Sequence, residues 1–125
     1  MKNFERISKL EFLHFVKRNE TLKLFDLEGE DLSNLDLSGK KFFQCRLRNT
    51  NFNNTDLVNC VFEECDMQFT KLYGADLEGA SFPKSNVKGT DLDDRTVALI
   101  DYSEAREALN SATRANLIGA VCKKM

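Results

Sequence analysis

Residues 55–79 read TDLVN CVFEE CDMQF TKLYG ADLEG when broken every five residues. The third residue of each block is apolar: Leu57, Phe62, Met67, Leu72 and Leu77. The same spacing runs back through Phe52, Leu47, Phe42, Leu37 and Leu32 to Leu27, and forward through Phe82 and Val87 to Leu92. Chance gives such a run about a few times in 100,000 at this apolar content. On an α-helix a step of five rotates the side chain by about 140°, which scatters the positions around the cylinder. On a strand an odd step alternates faces. A chain that buries every fifth residue must turn the same corner every five residues, and that makes a solenoid.

The neighbours of each centre repeat too. Two residues earlier stand small or thiol side chains: Cys45, Thr50, Thr55, Cys60, Cys65, Thr70, Ala75, Ala80, Ser85 and Thr90. One residue earlier stand Asp or Asn, as at Asp26, Asp31, Asp36, Asn51, Asp56, Asp66, Asp76, Asn86 and Asp91. Two residues later Gly or Asn stands at Gly29, Asn34, Gly39, Asn49, Asn54, Asn59, Gly74, Gly79 and Gly89, and both tolerate the left-handed backbone of tight corners; Phe69 departs from this. The first turn of the repeat departs from this, with Phe25, Glu30, Leu35 and Lys40 at the small position. It is expected to be distorted or to face a cap.

Units such as Ala75-Asp76-Leu77-Glu78-Gly79 and Thr55-Asp56-Leu57-Val58-Asn59 resemble pentapeptide repeats, whose pattern is A(D/N)Lxx. The resemblance covers residues 22–97. It implies an all-β solenoid, a right-handed quadrilateral β-helix of about four coils, with four pentads per coil. Residues twenty apart then stack in columns about 4.8 Å apart, and the tower is about 17 Å tall. One column is Leu37, Leu57, Leu77; another is Phe42, Phe62, Phe82. The three expected parts are 1–21, an N-terminal helical cap; 22–97, the repeat; and 98–125, a C-terminal helix with either a last rung or a dimerisation segment.

Charge is divided among these parts. Residues 26–94 hold 14 acidic and 7 basic side chains, whereas residues 1–25 hold 3 and 6. An acidic repeat argues against direct binding to nucleic acid. Cys45, Cys60 and Cys65 fall at small inward positions, and there is no CxxC; His14 is the only histidine. No metal or other cofactor is expected. Reduced thiols suit a cytoplasmic compartment. The N-terminal stretch is charged throughout and has no signal-peptide pattern, and no stretch is long enough to span a membrane.

At the N-terminal end, Ser8 and Glu11 have capping-box spacing, and Phe12, Leu13, Phe15 and Val16 give residues 8–19 an apolar face for the first coil. A second helix is expected from Glu104 to Thr113, where Ala105, Ala108, Leu109 and Ala112 form a small-residue stripe. That stripe either caps the tower or forms a homodimer contact. DNA-mimicking members of the family dimerise through their C-terminal ends, so the resemblance favours the dimer. The unit Ala115–Gly119 is equally compatible with one more rung.

No residue pattern points to an enzyme. A nucleophile needs a base within reach, and the carboxylates lie on a convex surface. Asp36, Asp56 and Asp76 are expected to stack outward in one column, with Glu78 beside them. Each side chain can serve its own corner by accepting a backbone N–H. The ladder can also imitate a phosphate backbone and attract a DNA-binding groove. Glu63 and Glu64 form a second acidic spot, and Phe43, Phe69 and Tyr73, with Val58 and Val61, are apolar contact candidates. The expected function is a non-catalytic module with a protein partner. Family precedent is protection or inhibition of DNA gyrase. Gyrase-directed relatives are longer rods, so a smaller target, such as a phage-targeted nuclease or an antiviral complex of a bacterium or phage, suits this size better. The alternative is an adaptor or secreted-effector fragment that binds through its helical end or exposed aromatics.

Overall fold

Every fifth residue from Leu24 to Gly89 has a left-handed backbone, with φ between 53 and 75°, in the computed structural model, which describes residues 3–18 and 21–90. These corners bend the chain into a four-sided coil. Parallel bridges join residues twenty apart: Asp26 to Arg46 to Asp66 to Asn86, Asp31 to Asn51 to Lys71, and Asp36 to Asp56 to Asp76. The regular strands are short: β1 (Glu5–Arg6), β2 (Leu22–Lys23), β3 (Phe25–Asp26), β4 (Lys41–Phe43) and β5 (Val61–Glu63). β2, β4 and β5 form one parallel ladder, with Leu22, Phe42 and Phe62 in register.

The thirteen centres from Leu27 to Val87 are all buried, none more than 4% exposed. The Phe42 and Phe62 rings stack at 4.7 Å, and Phe62 and Phe82 at 5.3 Å. Phe52 meets Phe42 and Phe62 edge-on from the neighbouring side. Leu92 lies outside the described residues.

The small position has a chemical reason beyond size. Its hydroxyl or thiol donates to the carbonyl of the centre one coil below: Thr50 to Leu27 at 2.8 Å, Thr55 to Leu32 at 2.7 Å, Cys60 to Leu37 at 2.9 Å and Thr70 to Leu47 at 3.0 Å. The same carbonyls also accept the turn N–H within their own coil where the corner is closed, as Leu37 does from Lys40 at 3.2 Å. A compact donor satisfies the second lone pair of a buried acceptor. Burial pushes the Cys60 thiol up to about 12, which keeps its proton in place for this bond. Cys45, Cys60 and Cys65 are free and buried.

The N-terminal segment closes the lower end. Helix α1 (Lys9–Lys17) starts at a capping box: the Ser8 hydroxyl accepts from the Glu11 N–H and the Glu11 carboxylate from the Ser8 N–H. Its Phe12 ring lies over Phe42 at 6.1 Å, and Phe15 meets Phe25 at 4.8 Å. Lys40 reaches down to the Val16 carbonyl at 3.1 Å, and Arg6 holds Glu30 at 2.9 Å. Three of the four residues that break the small-position rule therefore meet the cap directly, and Leu35 packs partly buried against the core. The first-coil corners keep the same φ as the others.

The segment holds more than the expected helix. β1 precedes α1 and pairs parallel with β3, Glu5 against Phe25 and Arg6 against Asp26. Ile7 is buried directly below Leu27, its N–H on the Asp26 carbonyl.

Candidate functional site

The four sides of the coil carry different charges although they share one backbone plan. On the aspartate face (residues 35–39, 55–59 and 75–79) the ionisable side chains are Asp36, Asp56, Asp76 and Glu78, all acidic. On the next side, the phenylalanine face (40–44, 60–64, 80–84), Glu63 and Glu64 stand among Lys40, Lys41 and Lys84. The paired-charge face (25–29, 45–49, 65–69, 85–89) balances Asp26, Glu28 and Asp66 with Arg46, Arg48 and Lys88. Arg46 lies 3.9 Å from Asp26 and 3.7 Å from Glu28 there, and Arg48 lies 4.0 Å from Asp66. The fourth side (30–34, 50–54, 70–74) sets Glu30 and Asp31 against Lys71, so the acidity of the described solenoid is concentrated on the aspartate face.

Each aspartate of that side also serves its own corner. Asp36 accepts the Ser38 N–H at 3.1 Å, Asp56 the Val58 N–H at 3.0 Å and Asp76 the Glu78 N–H at 3.2 Å. The Ser38 hydroxyl adds a bond to Asp36 at 2.8 Å. That hydroxyl, with the backbone bond second, holds the Asp36 carboxyl below the ordinary carboxylate value. Elsewhere asparagine does the same work: Asn51 accepts the Asn53 N–H at 2.8 Å and Asn86 the Lys88 N–H at 3.1 Å. Where a side chain makes this corner bond, an amide or a carboxylate oxygen serves equally, and no negative charge is needed. Three aspartates in one column exceed that requirement, because like charges a strand spacing apart repel.

The other anticipated contact residues separate. Glu63 is 3.5 Å from Lys41, and Glu64 accepts from the Gln44 amide at 2.9 Å. They do not join the aspartate column. Phe43, Val58 and Val61 are half-buried, Phe43 within β4 between Lys23 and Glu63, so only Phe69 and Tyr73 of the apolar set stand exposed. The Phe69 corner is not bulged: its φ of 60° matches the asparagine corners. Its ring lies against Gly89 one coil above, where an added Cβ would come within 2.5 Å of the ring. Sequence reasoning passed over Leu10, the most exposed large apolar side chain described, at 80%. Its spacing from Leu13, His14 and Lys17 was the available signal. Ala105, Ala108, Leu109, Ala112 and the unit 115–119 lie outside the described residues.

The pattern that defines a pentapeptide repeat region matches residues 22–92. The chain belongs to the pentapeptide-repeat family. Two solved pentapeptide-repeat structures share its fold. Rfr23, from the cyanobacterium Cyanothece 51142, is 23% identical with a TM-score of 0.51, over 58% of this chain and 56% of that one. Full-length QnrB1, a plasmid-mediated fluoroquinolone resistance protein, is 20% identical with a TM-score of 0.52, over 70% of this chain and 44% of that one. The chain spans about half the length of these solved relatives. No curated protein matches it. The solenoid is the right-handed quadrilateral β-helix of the family. Pentapeptide-repeat proteins are generally structural or binding modules rather than enzymes. No described helix is long and apolar enough to cross a membrane.

Proposed function

We propose that this pentapeptide-repeat protein is a non-catalytic interaction module whose aspartate face binds the DNA-binding groove of a protein partner in place of DNA. The observation that carries the reading is the choice of aspartate at 36, 56 and 76, where asparagine makes the same corner bond at 51 and 86. A column of carboxylates with no cation on its own side attracts a basic groove by the field that attracts phosphates. Fluoroquinolone resistance in QnrB1, the function its name states, points to targets that act on DNA. Candidate targets are DNA gyrase, nucleases and bacterial or phage defence complexes.

The test is inhibition of gyrase supercoiling and of a panel of DNA nucleases by the intact chain and by D36N/D56N/D76N. The reading expects inhibition of at least one enzyme, competition with duplex DNA and weakening with salt. The triple variant keeps its fold and loses inhibition by about tenfold or more, since asparagine retains the corner bonds and removes the field. Undiminished inhibition by the triple variant, or indifference to duplex DNA, overturns the reading.

A further inference from the structure

The lower end of the molecule has the opposite character to the aspartate face. α1 buries Phe12 against the first coil and turns another face outward. That face is Leu10, Leu13, His14 and Lys17, spaced i, i+3, i+4 and i+7, which places them in one stripe two turns long. Leu10 is 80% exposed, His14 and Lys17 are exposed, and Leu13 is half-buried at the inner edge of the stripe, where it also packs against the core. Among the described residues, Leu10, Leu13, His14, Val16 and Lys17 line a shallow hollow there. Lys9 flanks the stripe and also faces Asp31, and the helix's one carboxylate, Glu11, is exposed with one oxygen on the Ser8 N–H.

We infer that this stripe is a second interaction surface, which takes an acidic amphipathic helix of a partner protein. Apolar side chains of the incoming helix would meet Leu10 and Leu13. Its carboxylates would meet Lys17 and Lys9. Helix-on-helix docking reads anchors at this i, i+3, i+4, i+7 spacing. A lipid surface is the weaker match: nine residues with one fully exposed leucine bury little apolar area in a bilayer interface. The surface differs from the aspartate face in position, sign and apolar content, so the chain joins two partners of unlike charge.

The experiment measures binding of the intact chain to a labelled three-heptad helical peptide with Leu at its a and d positions and Glu at e and g. A twin peptide with Lys at e and g, and vesicles of phosphatidylcholine with phosphatidylserine, serve as counter-probes. The expected result is binding of the Glu peptide alone, weakened about tenfold by high salt and about tenfold or more by Leu10→Glu or Lys17→Glu. Both substitutions are at exposed positions, and unchanged circular dichroism certifies the fold. D36N/D56N/D76N leaves this binding unchanged, which separates the inference from the proposed role of the aspartate face. No binding of the Glu peptide, equal binding of the Lys peptide, or Leu10-dependent binding to the vesicles overturns it. So does a Leu10-dependent dimer in sedimentation, which would assign the stripe to a second copy.

Discussion

The aspartate face and the phenylalanine face are adjacent sides of one coil, yet they turn their corners differently. On the aspartate face each corner closes with a turn bond, Lys40 to Leu37, Cys60 to Leu57 and Ala80 to Leu77, and an aspartate oxygen takes the N–H that points outward. On the phenylalanine face the residues before the centres are Lys41, Val61 and Ser81, none of which supplies an aspartate or asparagine oxygen. There the backbone pairs with the coils above and below instead, and the strands lengthen to β4 and β5. Pro83 continues this logic, since it has no N–H to satisfy, and its corner closes again through Ser85 and Phe82. An oxygen before the centre thus favours a closed turn but is not the only route to one, since the corners at Leu47 and Leu72 close behind Arg46 and Lys71. The interior is indifferent to that choice.

The largest expected effect tests the indifference. Phe62→Ala removes the middle ring of the stack and costs about 3–5 kcal/mol. Leu57→Ala on the aspartate face costs about 2–5 kcal/mol and falls below it, because no ring stacks on Leu57. Urea unfolding of both variants measures the order, and an inverted order breaks the claim that the stack adds to burial. Next comes the corner itself. Asp56→Ala strands the Val58 N–H and costs about 1–2 kcal/mol, whereas Asp56→Asn stays within about 0.5 kcal/mol of the parent. If both cost the same, the charge and not the oxygen holds the corner.

Smaller effects sharpen the contrast at the phenylalanine face. Lys84 sits exposed at a corner with φ 57°. Lys84→Gly relieves the left-handed strain and is expected to stabilise by about 0.5–1 kcal/mol in the same unfolding assay. The smallest effect is a titration. Asp36 is held low first by the Ser38 hydroxyl, so Ser38→Ala moves its carboxyl back up toward the ordinary value in an NMR pH series. The sign follows from linkage: a carboxyl lowered on folding supports the fold above its unfolded value, and that support fades as pH falls through the folded value. Ser38→Ala shifts the fading to higher pH; an unmoved Asp36 titration contradicts the assignment.

Much of this architecture could be read from residue order because the period is unusual. A step of five leaves no ordinary helix or strand to compete, so the columns through Leu57 and Phe62 followed from counting. The capping box at Ser8 and Glu11 was equally plain. The rung at Glu5–Ile7 was not. Ile7 is twenty residues before Leu27, but Lys17 breaks the apolar run and Phe12 belongs to a helix, so nothing local marks the pairing. Phe43 looked like a surface anchor because its place in the pentad points outward; its burial comes from neighbouring rungs, a tertiary effect. The aspartate column was legible as a column. Glu63 and Glu64 were legible as a separate spot; their partners Lys41 and Gln44, one coil away, were not.

The equivalence of Asp56 and Asn51 at the corner has a consequence for heredity. Aspartate and asparagine codons differ by a single base, so one point change flips a unit of surface charge while the hydrogen-bonded frame beneath it is retained. A lineage built on this frame can retune the electrostatic outline of any flank stepwise, without passing through an unfolded intermediate.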